Sequence, residues 1–459
     1  MERPLPDIQA RNVLLPTGWM SDQIIRIGDD GRIVEIVPAP NPAAPSIDLL
    51  LPAPSNLHSH SFQRAMAGLT ETRGPNPKDS FWTWRHLMYR FLDRLTPDHV
   101  EAIAALAFVE MLESGFASVA EFHYLHHAPG GAAYTNPAEM AVRIAAAADR
   151  TGIGLTLLPV LYMQGGCDGR ALEGEQLRFG CDTDRFDALL NASATALRDL
   201  PDDTGLGVAP HSLRAVPPPA LRHAATLRPD APVHMHLAEQ EAEVDEVERH
   251  LGARPVTWLL DNQPPDDRWC LIHCTQMTGA ETERLATTGS VAGLCPLTEA
   301  NLGDGIFNAT DFVDEGGRFG VGSDSNTHIS LWSELAALEY SQRLRDRTRA
   351  TLATSEHSTG RRLFDAACQA GAQAAGRRCG GILPGHWADL VAIRTDTPEL
   401  TARRGDAWLD SLIFGGRGDR HVTDVWCAGR HVVRDGRHVA REDISKSYIN
   451  ALQDLSEVI

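Results

Sequence analysis

Lysine is almost missing from this chain: it occurs only at Lys78 and Lys446, so nearly all of the 42 basic side chains are arginine. Acidic residues outnumber them at 61, giving a formal net charge of −19. Such a surface disfavours nonspecific binding to nucleic acid or anionic membranes. A small anionic ligand remains compatible with it, because a pocket sets its own local field. The eight cysteines include no C-x-x-C pair, which argues against a disulfide framework or a cysteine zinc site. Cys270 and Cys274 sit in an apolar run and read as small core residues. Long hydrophobic runs are lacking too, so no segment is expected to span a bilayer. The opening "MERPLPDIQARNVLLPTGW" is broken by prolines and charges, so no signal peptide and a cytoplasmic location are expected.

What is present is an ordinary globular composition, 43% hydrophobic and 22% charged, over 459 residues. That length suits two or three domains. Short apolar runs end at "LPAPSNLHSH", "FASVAEFHYLHH", "GLTLLPVLYM", "GLGVAPHSL", "PVHMHLAEQ", "RWCLIHCTQ", "GSVAGLCPLTEANLG" and "RFGVGSDSN". Amphipathic stretches lie between them, among them 97–114, 137–150, 239–250 and 331–347, the first with Thr96 as N-cap and Pro97 at the first helical position. Strands alternating with helices imply parallel βαβ units, and eight of them imply a (β/α)8 barrel. The flanks read differently. "DIQARNVLL", "QIIRIG", "RIVEIVP", "ADLVAIR" and "VTDVWCAGRHVVRDGRHV" are short strands with turns at Asp29-Asp30-Gly31 and Asp435-Gly436. The expected organisation is an α/β chain: residues 52–382 form the barrel, and 1–51 with 383–459 form a small β-sandwich domain built from both termini.

The chemically interesting residues fall at the ends of the apolar runs, the face on which αβ barrels build active sites. His58-Ser59-His60 closes the first run, and strand alternation points both imidazoles the same way. His234-Met235-His236 closes the fifth, with His236 nearer the strand end and Glu239 three residues on. His273 ends the sixth and Asp324 the eighth, among glycines that permit close backbone approach. Each has a plain structural reading taken singly: chance H-x-H pairs, a first-turn helix acid, a core histidine, a turn aspartate. Together, three imidazoles and a carboxylate at strand ends suit zinc, with nickel, iron or cobalt not separated by ligand type. His58, His60, His236 and Asp324 are the expected ligands, and Glu239, His273 and Asp324, the last also a proton acceptor, the expected catalytic groups.

These motifs, with the split β domain and the tail "VWCAGRHVVRDG", resemble the amidohydrolase superfamily over nearly the whole chain. Its two-metal members carry a carboxylated lysine at a middle strand. No lysine stands there here, and the His-x-x-Glu of His236 and Glu239 resembles the single-metal deaminase branch, so one zinc ion per subunit is expected. "NLHSHSFQRAMAGLTE", "FWTWRHLMYR", "EFHYLHH" and "APHSLRAV" are similar to the iminohydrolases of bacterial histidine degradation. That resemblance implies hydrolysis of a formimidoyl group on a small anion with two carboxylates, N-formimidoyl-L-glutamate, to N-formyl-L-glutamate and ammonia. It also implies a homodimer. Gln63, Arg85 and Tyr124 would hold the α-carboxylate, and His211 with Arg214 the side-chain carboxylate. Arginine suits this task because its planar fork binds a carboxylate bidentately. Arg64 competes with its neighbour Gln63. A deaminase of a guanine-like base would share the metal site without needing two arginines.

Overall fold

A computed structural model describes residues 7–41, 46–71 and 88–456. Eight parallel strands close a barrel: β1 Ser55–Ser59, β2 Ser118–His123, β3 Gly154–Leu161, an interrupted β4 Gly205–Leu206 and Ala209–Pro210, β5 Val233–Leu237, β6 Trp269–His273, β7 Val291–Leu294 and β8 Arg318–Val321. β1 to β4 form one ladder and β5 to β8 another. Two narrow seams join them, a bridge between Val208 and Val233 and one between Ser59 and Asp324. β1, β2, β3, β5, β6 and β7 are buried at every position. That is why their sequences read as continuous apolar runs rather than alternating ones.

The helices between strands follow from local signals. Pro97–Ser114 starts at Thr96, whose hydroxyl accepts the His99 N–H at 3.3 Å, and stops at Gly115 in the left-handed region (φ 106°). The other expected helices appear as Glu139–Thr151, Glu241–Leu251 and Leu331–Asp346. The terminal segments meet in one continuous eight-stranded sheet, in which Leu49–Pro52 lies between Ile8–Leu15 and Leu390–Ile393. Two residues, Ala53 and Pro54, separate Pro52 from β1, so this sheet leads straight into the first functional strand.

A buried ionic cluster locks that sheet to the barrel. Arg377 donates to both carboxylate oxygens of Asp389 (2.6 and 2.9 Å) and to Asp203 (2.8 Å), and Arg430 of the terminal sheet also grips Asp203. The arginine and both aspartates are essentially without solvent contact. Among the described residues no helix is long and apolar enough to cross a membrane. All eight cysteines are free, and seven are buried.

Candidate active site

The seam between β8 and β1 assembles the centre. His60 N–H donates to Asp324 O (2.9 Å) and Asp324 N–H to His58 O (3.0 Å), so the carboxylate is delivered beside the two histidines. Gly322 makes this approach possible: a Cβ there would lie 2.7 Å from the His58 backbone. The other seam brings His236, whose N–H donates to His211 O at 3.0 Å. Backbone strain concentrates at the same strand ends. Ala238, His273, Cys274, Asp324 and Asn326 all have φ between 44° and 72°, without glycine. Non-glycine residues held there mark sites where the fold overrides local preference.

Four donor atoms converge. His58 Nε2 lies 3.2 Å from both His60 Nε2 and His236 Nε2, and Asp324 Oδ1 lies 3.4 Å from His58 Nε2 and from His60 Nε2. All four residues are buried. His60 Nδ1 faces Phe122 O (3.0 Å) and His236 Nδ1 faces His211 O (3.1 Å), so each must carry its proton on Nδ1 and turn the Nε2 lone pair inward. Burial lowers all three imidazoles: His58 to about 3 and His236 well below its ordinary value. For Asp324, burial raises the carboxyl, but the bond from His58 and the neighbouring histidines outweigh it and hold it well below the usual range. Lone pairs and a carboxylate turned on one point call for a cation. Their separations suit ligands about 2.0–2.1 Å from a zinc ion. His273, Cys295 and Asp324 also offer atoms within 4.8 Å of one another. They fit a metal poorly, because a ligand must be deprotonated: His273 keeps its proton, and burial pushes the Cys295 thiol well up.

His273 lies between two carboxylates. Nδ1 is 3.2 Å from Glu299 Oε1 and Nε2 is 3.9 Å from Glu239 Oε1. Burial opposes its charge, yet Glu239, Glu299 and Asp324 outweigh burial and push the imidazolium up to about 10. Glu239 precedes the helix Glu241–Leu251 rather than serving its first turn, and it lines the pocket. Desolvation raises its carboxyl, against the pull of His273 and Arg214.

One cavity is lined by His60, His236, Asp324, Glu239 and His273 and reaches the expected anion-binding residues Gln63, Tyr124, His211 and Arg214. Gln63 donates to Tyr124 Oη at 2.9 Å, leaving the buried Gln63 Oε1 without a partner among the described residues. His211 and Arg214 line another part of the wall. Arg214 is 9% exposed, and its Nε has no hydrogen-bond partner among the described residues. Burial works against its charge, but Glu243, Tyr162, Glu239 and Glu246 more than compensate and raise it. Arg64 is committed elsewhere, donating to Glu110 at 2.6 Å. His234 points away from the centre and meets Ala374 O at 2.7 Å. Arg85 lies outside the described residues.

Sequence reasoning missed several buried acids around the site. Glu299 orients His273, and Glu243 accepts the backbone N–H groups of Ala238 and Glu239. Asp304, which accepts from Gln240, is pushed up to about 9, first by burial and then by Glu239. Glu121, taking the Ser61 N–H at 2.7 Å, is pushed up to about 7 by burial. Only the first-turn positions of Glu243 and Glu299 gave a signal, and it points to helix dipoles.

A family model described as the amidohydrolase family matches residues 49–432. The chain is 47% identical over 452 residues, 98% of its length and 99% of the relative's, to the formimidoylglutamate deiminase of Pseudomonas aeruginosa. Among solved structures, an amidohydrolase from Brucella melitensis superposes with a TM-score of 0.93 at 47% identity, covering 98% of this chain and 99% of the other. A zinc-bound adenosine deaminase from Xanthomonas campestris shares the fold at a TM-score of 0.81 and 22% identity, covering 99% of each.

Proposed function

The chain belongs to the amidohydrolase family, and on that premise we propose that it hydrolyses N-formimidoyl-L-glutamate to N-formyl-L-glutamate and ammonia. The observation that carries this reading is a cavity lined by His60, His236 and Asp324, by the Glu239–His273 pair and by the buried Arg214, with His58 Nε2 completing the donor set 3.2 Å from His60 and His236. The named relative at 47% identity supports the substrate. Those four residues would hold one zinc ion, which when bound supplies Lewis acidity and brings the pKa of water to about 7.

The remaining chemistry belongs to the chain. Asp324, held ionised, takes a proton from the water whose oxygen adds to the formimidoyl carbon. Glu239, its carboxyl raised by burial, carries a proton to the nitrogen that leaves as ammonia, which is general acid work for a positioned carboxyl. His273 keeps its proton at neutral pH and donates a hydrogen bond across the reacting centre while Glu299 fixes its ring. Arg214 with His211 binds the side-chain carboxylate, and Gln63 and Tyr124, with Arg85, bind the α-carboxylate. A dianion entering a chain of net charge −19 needs these fixed local positive charges.

The test is ammonia release from N-formimidoyl-L-glutamate by zinc-loaded protein, alongside a panel of guanine-like amino-heterocycles. Turnover confined to the formimidoyl compound is expected. Turnover of a heterocycle instead would overturn the substrate while leaving the donor set in place.

A further inference from the structure

Between β5 and the helix Glu241–Leu251 the chain makes an unusual turn. Ala238, 1% exposed, sits at φ 52°, in the left-handed region that alanine rarely adopts, and the next residue is Glu239. Neighbouring backbone holds one side of this turn: Ala238 O accepts from Gln276 N–H at 2.9 Å and Leu237 O from Cys274 N–H at 3.0 Å. The N–H groups on its other side precede a helix and have no intrahelical partners. The N-cap residue, Gln240, does not serve them, since its side chain donates to Asp304 instead.

Glu243 serves them. From the first helical turn its Oε1 accepts the Ala238 N–H at 3.3 Å and its Oε2 the Glu239 N–H at 3.1 Å. An acid in a first turn is ordinarily a solvated partner of the helix dipole. Glu243 instead has no solvent exposure. It is also the leading opposite charge acting on Arg214, ahead of Tyr162 and Glu239.

We propose that Glu243 is a positioning residue for the deimination: by accepting both N–H groups it holds the left-handed turn that aims the Glu239 carboxylate at His273 and the reacting nitrogen. The inference rests on the reading of Glu239 as proton carrier. Without both acceptors the turn relaxes away from the left-handed region and carries the Glu239 carboxylate off its line. Misplacement by about 1 Å can cost on the order of 10²-fold in rate.

Glu243→Gln tests this, because glutamine keeps the length but replaces one acceptor with a donor facing an N–H. The expected result is a fall in kcat of about 10- to 10²-fold, with KM changed by no more than a few fold and zinc content unaltered. Adding Ala238→Gly, which makes the left-handed conformation strain-free, should recover part of the loss. In a Glu239→Gln background the same change should cost nothing further. Undiminished kcat in Glu243→Gln would overturn the proposal, and so would an equal fold loss in both backgrounds. If Glu243→Gln alone does not fold, Ala238→Gly/Glu243→Gln is compared with Ala238→Gly by the same criteria. Parent protein assayed in the same series separates the two readings: an inactive parent overturns the functional reading and this inference with it, whereas an active parent matched by Glu243→Gln overturns this inference alone.

Discussion

Replacing Arg214 by alanine should remove one end of the substrate's grip and leave the chemistry at the other end in place. The guanidinium is 9% exposed and its buried Nε has no partner among the described residues, so the fold supplies a desolvated cation that a carboxylate can pair with. Truncating one member of a buried, hydrogen-bonded charge pair costs about 2–5 kcal/mol. At about 1.4 kcal/mol per decade this predicts a loss in kcat/KM of roughly 30- to several thousand-fold. Arg214→Lys should fall between, because a point charge cannot reproduce the planar fork. The decisive assay pairs each enzyme with two substrates, N-formimidoyl-L-glutamate and an analogue in which a methyl group replaces the side-chain carboxylate. The parent should discriminate strongly against the analogue, and Arg214→Ala should lose most of that discrimination. If Arg214→Ala slowed both substrates by the same factor, the arginine would not be reading the side-chain carboxylate, and the assignment would fail.

Further consequences are open to measurement. Glu239→Gln should keep its zinc, measured by metal analysis, and lose about 10²- to 10⁴-fold in kcat, the usual range for a general acid–base group; near-parent turnover would remove the proton-carrier role. Arg377→Met leaves Asp389 and Asp203 buried without their shared cation, a loss of about 3–5 kcal/mol. With an unfolding entropy of about 2.1 cal/mol/K per residue over 459 residues, calorimetry should show Tm lower by roughly 3–5 °C. Burial would raise the Asp203 carboxyl, but Arg430 and Arg377 outweigh it and hold it low in the fold. A depressed carboxyl contributes stability above its unfolded value near about 3.9 and loses it as pH falls through the folded value, so the gap between parent and Arg377→Met should narrow in acid; a gap that widened there would contradict the pairing. His234→Phe removes a buried hydrogen bond to Ala374 O remote from the centre. It should lower stability by about 1–3 kcal/mol yet leave zinc content intact, and a variant that loses zinc would show His234 to be a ligand.

Much of the fold was legible because six of the eight barrel strands are buried at every position. Polar residues stand out against such runs, and they fall where the runs end, which is how His58, His60, His236, His273 and Asp324 could be picked from one sequence. The choice of His236 over His234 followed from strand direction alone, and the two side chains point to different ends of the barrel. β4 was harder: the run "GLGVAPHSL" pairs with β3 over just two short stretches, broken at Gly207, where a Cβ would lie 2.5 Å from Leu158 Cδ2. Glu243, Glu299 and Asp304 were not legible, since their importance depends on partners supplied by other elements. On a helical pattern the first two look like ordinary first-turn acids. Gln63, Tyr124 and His211 came only from family resemblance, because a neutral amide, a phenol and one histidine among 19 carry no pattern of their own.

The most direct test of the account is a zinc titration of metal-stripped protein, read as ammonia released from N-formimidoyl-L-glutamate. The account predicts that activity rises linearly and levels off at one zinc per chain, and that His236→Ala neither binds that zinc tightly nor turns over. Activity that is independent of added metal, or that levels off only at two zinc ions per chain, would contradict it.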